Sequence, residues 1–222
     1  MIIVISLKRA NERRDLIKKQ LEAFNIDAMI MDAVDAQDLS EEQKNKKLHM
    51  PNGWRFGESF EPGEIACLMS HKKAIETAKE NKAPYVIVLE DDVIFAEDFT
   101  KRIKFLLKIL PQNWEHVYLS GAPKFNLQYL PNLQFMNVVP SIITDGAFSI
   151  MIRDTAYDKV ISELSTFKST SDDIYGRMIL DKQLVSYTFY PFVTYTDDDF
   201  TYIWNEPVNR EHKSKKYFKS KL

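Results

Sequence analysis

Three consecutive acids, Glu90, Asp91 and Asp92, are the residues of this sequence whose types and spacing best suit a chemical role. They directly follow an apolar run at 85–89, which is the strongest strand pattern in the chain. Adjacent carboxylates repel one another, and a divalent cation converts that repulsion into binding because Mg²⁺ and Mn²⁺ prefer carboxylate, phosphate and water oxygens. The triplet therefore predicts a divalent metal site. The alternative is a polar turn, since aspartates are common after strands.

The elements around the triplet predict where it lies. A β-branched run at 2–5, a helix over about 12–24 and a strand at 28–31 form a strand–helix–strand unit, which predicts parallel pairing. Ligands bind at the carboxyl ends of the strands in such a sheet, and the triplet follows one of these ends. If the strand continues through the acids, alternation directs the first and third to one side and the second to the other.

The rest of the pattern predicts one α/β domain with a mixed sheet flanked by helices. Further helices are expected at about 62–81, 99–110, 155–165 and 173–181, and further strands at 117–119, 135–139, 147–152 and 185–189. A long polar stretch over 35–62 contains the isolated aromatics Trp54 and Phe56, and a loop of this length is usually functional or mobile. The predicted domain covers 1–209, and a basic tail follows over 210–222.

Composition and charge exclude several classes of protein. With 45% hydrophobic and 28% charged residues the chain is expected to be globular, and its net charge of −2 gives no overall attraction to nucleic acid. The single cysteine, Cys67, excludes an intramolecular disulfide and is expected to be a small buried apolar residue. The cysteine content predicts a reducing, cytoplasmic setting, and no stretch approaches the roughly 20 apolar residues of a membrane span, so the protein is expected to be soluble.

Two arginines after the first strand are candidates for binding phosphate. If the sheet is parallel, the turn that carries Arg9 and Arg13 lies on the same sheet edge as the acids. Guanidinium groups suit bidentate contacts with a diphosphate. The alternative is a solvated helix face on which arginines pair with acids, and this is the expectation for Arg14.

Three segments, in this order, carry a resemblance to a known family. They are Val-Ile-Ser-Leu-Lys-Arg at 4–9 with a following Arg-Arg pair, Pro-Gly-Glu-Ile-Ala-Cys-Leu-Met-Ser-His at 62–71, and Val-Leu-Glu-Asp-Asp-Val at 88–93. With a weaker match at 146–151, they resemble glycosyltransferase family 25, the lipooligosaccharide galactosyltransferase group of Gram-negative bacteria, which is related to collagen galactosyltransferases. One departure is Ala66, where the family usually has glycine. Alanine suits a helix, so this departure is interpreted as subfamily variation.

The resemblance, which spans roughly 2–190, implies a GT-A-like fold with a Rossmann-like mixed, mainly parallel sheet. It also implies a nucleotide-sugar donor, most often UDP-galactose, and an inverting mechanism. Glu64, Ser70 and His71 then belong to the donor site. Without the resemblance, Glu64 is explained by its favourable place in the first turn of a helix, and His71 by a satisfied position in the core.

Inverting transfer requires a general base to take the acceptor's hydroxyl proton. Related GT-A enzymes place this carboxylate at the start of a helix beyond the acceptor loop, and the resemblance therefore points to Asp172 and Asp173. The residues alone are equally explained by helix capping, with Ser171 or Asp172 as the N-cap. If Asp172 caps the helix, Asp173 is left available and is the preferred base.

The functional prediction is an inverting glycosyltransferase that moves a hexose, galactose from UDP-galactose, onto a lipooligosaccharide or another glycan. Asp92 holds Mn²⁺ or Mg²⁺, assisted by Glu90 or Asp91, and these last two also belong to the donor site. The alternative is a non-catalytic protein of the same fold that binds a nucleotide sugar or a carbohydrate. A nucleotidyltransferase is disfavoured, because no glycine-rich phosphate loop follows the first strand.

Two charged segments near the end of the chain have alternative interpretations. The acids at 197–199 are interpreted as a solvated turn, with a third metal ligand as the alternative. The tail over 210–222 has six basic residues against one acid, which predicts a peripheral contact with anionic lipid at the cytoplasmic face of the inner membrane. A disordered, solubilising end is the alternative.

Overall fold

The computed structural model describes residues 1–46, 60–123, 137–141 and 144–196. Four of the features singled out in the sequence lie outside these ranges: Trp54, Phe56, the acids at 197–199 and the basic tail over 210–222.

Eleven strands and six helices form the described part of the chain. The strands are β1 Ile2–Ser6, β2 Met29–Asp32, β3 Tyr85–Glu90, β4 Val93–Phe95, β5 His116–Tyr118, β6 Ala122–Pro123, β7 Asn137–Pro140, β8 Thr144–Asp145, β9 Ser149–Arg153, β10 Ser186–Tyr190 and β11 Thr194–Thr196. The helices are α1 Asn11–Ala23, α2 Glu41–Lys44, α3 Pro62–Glu80, α4 Phe99–Ile109, α5 Tyr157–Leu164 and α6 Ser171–Leu180, and none of them is both long and apolar enough to cross a membrane.

The main sheet has seven strands in the order β2-β1-β3-β9-β5-β10-β7. Strands β2, β1 and β3 pair in parallel, as do β5 and β10, whereas β9 and β7 pair antiparallel with their neighbours. Five strands thus point one way and two the other. The predicted fold class, an α/β fold with a mixed, mainly parallel sheet flanked by helices, is confirmed.

Alternating side chains of the central strands divide the core between the two faces of the sheet. Val4, Ile87 and Leu89 pack with α1 and α4, which contribute apolar residues such as Ile17 and Leu106. The intervening residues of β1 and β3 face the opposite side, where α3, α5 and α6 cover them in a second apolar cluster. Because both faces are covered, these strands are apolar throughout, as parallel strands usually are.

The register of the parallel strands brings the triplet beside the end of β1. Ile5 of β1 pairs with Glu90 of β3. The residues that follow them, Ser6 and Asp91, are therefore neighbours at the carboxyl edge of the sheet. On its other side Ser6 pairs with Asp32, the last residue of β2. Polar residues from three strands therefore converge on one edge, and this convergence places the candidate site.

Candidate functional site

A cleft opens at this edge, between the ends of β1 and β3, the first turn of α1 and the first half of α3. It brings together seven of the ten residues that the sequence analysis assigned to a site. These are Arg9, Arg13, Ser70, His71, Glu90, Asp91 and Asp92, and Cys67 also lines the cleft. The other three, Glu64, Asp172 and Asp173, are not among its lining residues.

Asp91 is held in place by two donors from neighbouring elements. The Ser6 hydroxyl donates to one carboxylate oxygen at 2.6 Å, and Arg13 Nη1 donates to the other at 3.0 Å. The side chain is 9% exposed, and this burial raises its pKa while both donors oppose the rise. Asp91 therefore links β3 to β1 and fixes the guanidinium of Arg13 at the cleft.

Asp92 carries a carboxylate that is only partly compensated. Its Oδ1 is buried and has no hydrogen-bond partner within the described residues, and its Oδ2 lies 3.9 Å from Arg13 Nη1. Burial, and next the negative charge of Glu90, raise the Asp92 pKa to about 7. A buried carboxylate of this kind is favoured in its charged form by a nearby cation. Asp92 is therefore the acid of the triplet whose surroundings most favour a divalent ion.

The expected alternation of the three acids is wrong. Strand β3 ends at Glu90, and the next two residues form a turn, because the chain reverses there into β4. Asp91 and Asp92 consequently share Arg13 instead of pointing to opposite sides. Glu90 instead faces α3.

Glu90 contacts two side chains of α3. His71 Nε2 lies 3.2 Å from Glu90 Oε1, and Cys67 Sγ lies 3.9 Å from the same oxygen. His71 is fully buried, and its Nδ1 has no hydrogen-bond partner within the described ranges. Although it lies in an apolar helix face, its ring reaches the triplet directly, so it is not an ordinary core histidine.

Ser70 joins α3 to the segment that follows β2. Its hydroxyl donates to the Ala66 carbonyl at 2.7 Å and accepts from the Val34 backbone N–H at 2.9 Å. The residue is 1% exposed. Ser70 thus positions one wall of the cleft, in addition to lining it.

Glu64 has a structural role at the start of α3. It is 5% exposed, and its Oε2 accepts the Glu61 backbone N–H at 2.9 Å. This contact is one half of a capping box, in which the side chain of the third helical residue satisfies a backbone donor at the helix start.

We expect Glu64→Ala to lower the free energy of unfolding by about 1 kcal/mol, because the Glu61 N–H then loses its acceptor. Glu64→Gln keeps an acceptor oxygen at the same place, so its stability should stay within a few tenths of a kcal/mol of wild type. Urea denaturation of the two variants measures the difference. An equal loss of unfolding free energy in both variants would indicate that the charge of Glu64, and not its acceptor oxygen, stabilises the start of the helix.

The arginines after β1 are all paired with acids. Arg9 Nε lies 2.6 Å from Asp35 while its guanidinium lines the cleft, and its side chain is 41% exposed. Arg14 Nη1 lies 2.6 Å from Asp32 and 3.4 Å from the Ser6 carbonyl, with its side chain 18% exposed. Arg14 therefore pairs with an acid, as expected, but it is half-buried against the sheet edge and not fully solvated.

The start of α6 differs from the predicted capping arrangement. The N-cap is Thr170, so neither Ser171 nor Asp172 has that position, and the expectation that Asp172 caps the helix is wrong. Asp172 Oδ2 accepts the Gly146 backbone N–H at 3.3 Å. Asp173 is exposed, and its Oδ2 accepts the Ser169 hydroxyl at 2.8 Å.

Asp172, and not Asp173, acts electrostatically on the cleft. Its charge, with those of Glu90 and Asp92, adds to burial in raising the pKa of the Cys67 thiol well above its usual value. The Cys67 sulfur also lies 3.8 Å from the Ser171 hydroxyl, so the first turn of α6 adjoins α3 at the cleft. Asp172 is therefore the carboxylate of the pair whose charge acts on Cys67.

Three residues of the site were not expected from the sequence: Ser6 and Asp35, which hold Asp91 and Arg9, and Cys67, which lines the cleft. Ser6 ends β1 and Asp91 directly follows β3, so the available signal was their common place at the carboxyl ends of two parallel strands. Asp35 is separated from Arg9 by 26 positions, so no sequence spacing relates the two, whereas Cys67 lies one helical turn before His71.

The raised pKa of Asp92 predicts a pH-dependent stability. A carboxyl whose pKa rises from 3.8 to about 7 on folding stabilises the fold fully below pH 3.8, and this contribution is lost as the pH rises through 7. The full effect is about 4 kcal/mol, and since a quarter of the side chain is exposed we expect about 1–2 kcal/mol. In a chelating buffer, Asp92→Asn should therefore be more stable than wild type at pH 8. The difference in unfolding free energy between the two should be much smaller at pH 5. Urea denaturation at the two pH values measures this, and an equal difference at both would contradict it.

Solved structures show a general likeness of fold. A Drosophila β-1,4-galactosyltransferase 7, solved with manganese, UDP-Gal and xylobiose, aligns with 98% of this chain and 78% of its own, at 10% identity and a TM-score of 0.47. At this score the likeness concerns the general arrangement of strands and helices.

Curated relatives share more of the sequence. Mouse procollagen galactosyltransferase 2 is 27% identical over 205 residues, which are 88% of this chain and 32% of that protein. Mouse inactive glycosyltransferase 25 family member 3 is 30% identical over 126 residues, 54% of this chain and 21% of that protein. The chain thus spans a third or less of the length of these relatives, and one of the two is described as inactive.

The family itself is shown by a match that covers most of the chain and includes the whole cleft. The family model described as glycosyltransferase family 25 (LPS biosynthesis protein) matches residues 1–168, which contain β1, α3, the acidic triplet and β9. The mixed sheet agrees with the GT-A type of fold that the resemblance implied. The chain belongs to glycosyltransferase family 25.

Proposed function

We propose that this chain is a metal-dependent, inverting glycosyltransferase that moves a hexose from a nucleotide sugar to a hydroxyl group of a glycan. One observation carries the proposal. Asp92, at the carboxyl edge of the sheet and within the segment matched by the family, has a buried oxygen without a hydrogen-bond partner in the described ranges and a pKa raised to about 7. Such a carboxylate is stabilised by a cation.

The residues of the cleft fit a hard divalent cation. Asp92 and Glu90 would hold Mn²⁺ or Mg²⁺, leaving other coordination positions to phosphate and water, as these ions prefer. When bound, the ion neutralises the charge that develops on the departing diphosphate. Asp91 takes a different part: since its oxygens already accept from Ser6 and Arg13, it serves to position Arg13.

Arg13 and Arg9 supply fixed positive charge for the donor diphosphate. Asp91 pairs with Arg13 and Asp35 pairs with Arg9, and both arginines line the cleft. Their guanidinium groups are therefore oriented before the donor binds, which reduces the entropy lost on binding. Two oriented guanidinium groups suit the paired oxygens of a diphosphate.

Asp172 is the proposed general base. Its charge acts on the Cys67 thiol in the cleft, and its carboxylate accepts the Gly146 N–H at 3.3 Å. It accepts the proton of the acceptor hydroxyl as that oxygen attacks the anomeric carbon from the face opposite the diphosphate. Attack from that face inverts the configuration.

The donor and acceptor are proposed from the relatives. Procollagen galactosyltransferase, the name of a relative matched over 88% of the chain, supports galactose as the transferred sugar and UDP-galactose as the donor. The family's description as an LPS biosynthesis protein supports a lipooligosaccharide or a similar glycan as the acceptor.

A second candidate is a non-catalytic protein of the same fold that binds a nucleotide sugar. The relative described as inactive supports it, because membership of the family does not by itself imply catalysis. The intact acidic triplet with Asp172 favours the enzyme.

Calorimetry with UDP-, GDP- and CMP-sugars, with and without Mn²⁺, tests the proposal. We expect UDP-galactose to bind only with Mn²⁺, and the same mixture to release UDP when a galactose-accepting glycan is added. Binding without any release of UDP or transfer across a panel of glycans would support the non-catalytic candidate. Equal binding of all donors without metal would contradict both the metal site and the donor.

A further inference from the structure

A second cluster of metal-ligating atoms lies on the floor of the cleft. Cys67 and His71 are one turn apart on α3, and Glu90 at the end of β3 faces both of them. The thiol sulfur, a ring nitrogen and a carboxylate oxygen all lie within 4.8 Å of one another. We infer that these three side chains form a binding site for a borderline-soft divalent cation of the zinc type, chemically distinct from the hard-cation site at Asp92.

The distances require little rearrangement. Zinc bonds of about 2.0–2.3 Å in a tetrahedron separate the ligand atoms by about 3.3–3.8 Å. The observed separations are 3.2 Å between His71 Nε2 and Glu90 Oε1 and 3.9 Å between Cys67 Sγ and the same oxygen, and none in the trio exceeds 4.8 Å. A shift of at most about 1 Å therefore closes the trio around an ion.

The ligand types favour zinc over manganese. Thiolate and imidazole are softer ligands than oxygen and select zinc or similar metals, whereas Mn²⁺ and Mg²⁺ prefer carboxylate and water. Three protein ligands would leave one tetrahedral position for a further ligand, and all three residues line the cleft. An oxygen of water or of a phosphate can complete the shell.

The surroundings favour a positive ion and hold the ligands ready. The Glu90 carboxylate lies 3.9 Å from the Cys67 sulfur, and its negative charge favours a positive ion beside the thiol. His71 is fully buried, with its ring edge-to-face against Tyr175 at a centroid distance of 6.1 Å. The imidazole is therefore fixed before an ion arrives.

Occupancy of this site has a consequence for the cleft. Glu90 is also a ligand in the proposed function, so zinc binding withdraws it from the hard-cation site and opposes donor binding. This consequence rests on the proposed function, whereas the site itself does not, since its ligands are assigned from their geometry alone.

The test is a titration of the metal-free full chain with Co²⁺ alone, followed by Zn²⁺ alone. We expect intense thiolate-to-cobalt charge-transfer absorption and visible bands of tetrahedral cobalt, both abolished by excess zinc. The chain has a single cysteine, so charge-transfer absorption identifies Cys67 as a ligand. Cys67→Ser should lose this absorption and bind zinc at least about tenfold more weakly, because loss of even an outer-shell partner costs that much.

Asp92→Asn is the matched control. It removes the neighbouring carboxylate without touching the trio, so it should keep the charge-transfer absorption while losing Mn²⁺-dependent donor binding. No charge-transfer absorption in the wild-type chain at excess Co²⁺ would overturn the inference, whether or not the variants fold. Loss of the charge-transfer absorption in Asp92→Asn would also overturn the inference, because a single site that includes Asp92 would then bind both kinds of ion. The proposed transferase activity fails separately, in the calorimetry and turnover measurements.

Discussion

Asp92→Asn is expected to lower turnover by at least about a thousandfold and to remove its dependence on Mn²⁺, because metal stabilisation of a departing diphosphate contributes several kcal/mol and each 1.36 kcal/mol is a factor of ten. The fold should be kept, since Asp92 lies in a turn and its Oδ1 has no hydrogen-bond partner within the described residues. Steady-state rates over a range of Mn²⁺ concentrations, with circular dichroism of the same samples, measure both effects.

Asp32→Asn is the control for this variant. Asp32 ends β2 at the same sheet edge and also pairs with an arginine, but its side chain is 51% exposed and does not line the cleft. Asp32→Asn should have a turnover within a few-fold of wild type, and its response to Mn²⁺ should be unchanged. If Asp92→Asn behaves in the same way, the metal assignment at the centre of the proposed function is wrong.

Asp172→Asn is expected to lower turnover by about a hundredfold or more while donor affinity stays near that of wild type. A general base acts in the chemical step and not in donor binding, and its loss usually costs about 10²–10⁴ in rate. Asparagine keeps an oxygen that can accept the Gly146 N–H, so the side chain is expected to stay in place. Single-turnover rates and calorimetric titration with UDP-galactose separate the two quantities.

Asp173→Asn is the matched control, with the same change of charge one residue along the first turn of α6. Its side chain is exposed and bonded to Ser169, so we expect a rate within a few-fold of wild type. If Asp173→Asn carries the loss instead, the location of the base stands and the choice within the pair is wrong. Normal rates in both single variants and in the double variant would place the base elsewhere.

The parallel half of the sheet was predictable because it is local in sequence. β1, α1 and β2 follow one another with clear periodicities, and β3 is a continuous apolar run, so the pattern of each element agrees with its environment. The pairing of β4 with β11 joins residues about a hundred positions apart. Its strands have three residues each, which is too short for any periodicity to show.

The site was predicted in part for the same reason. Acids and arginines that directly follow strands were correctly expected at one edge, because parallel pairing brings strand ends together. The turn at 91–92 determines that Asp91 accepts from Ser6 and that Asp92 Oδ1 has no hydrogen-bond partner within the described residues. The sequence does not indicate this turn. The capping error at α6 has a similar cause, since Thr170, Ser171 and Asp172 are all residue types that favour the N-cap.

The contact that fixes Asp172 is made by a backbone N–H, and this has a consequence for mutational tolerance. Gly146 has a φ of +86°, and a Cβ added there would lie 2.1 Å from the Phe148 ring. No side-chain deletion at 146 can remove the donor, but any side chain introduced there must shift the backbone or Phe148. In a saturation scan selected for activity, position 146 should therefore accept almost no other residue, although glycine contributes no chemical group. Its intolerance should match that of Asp172 and exceed that of Asp173.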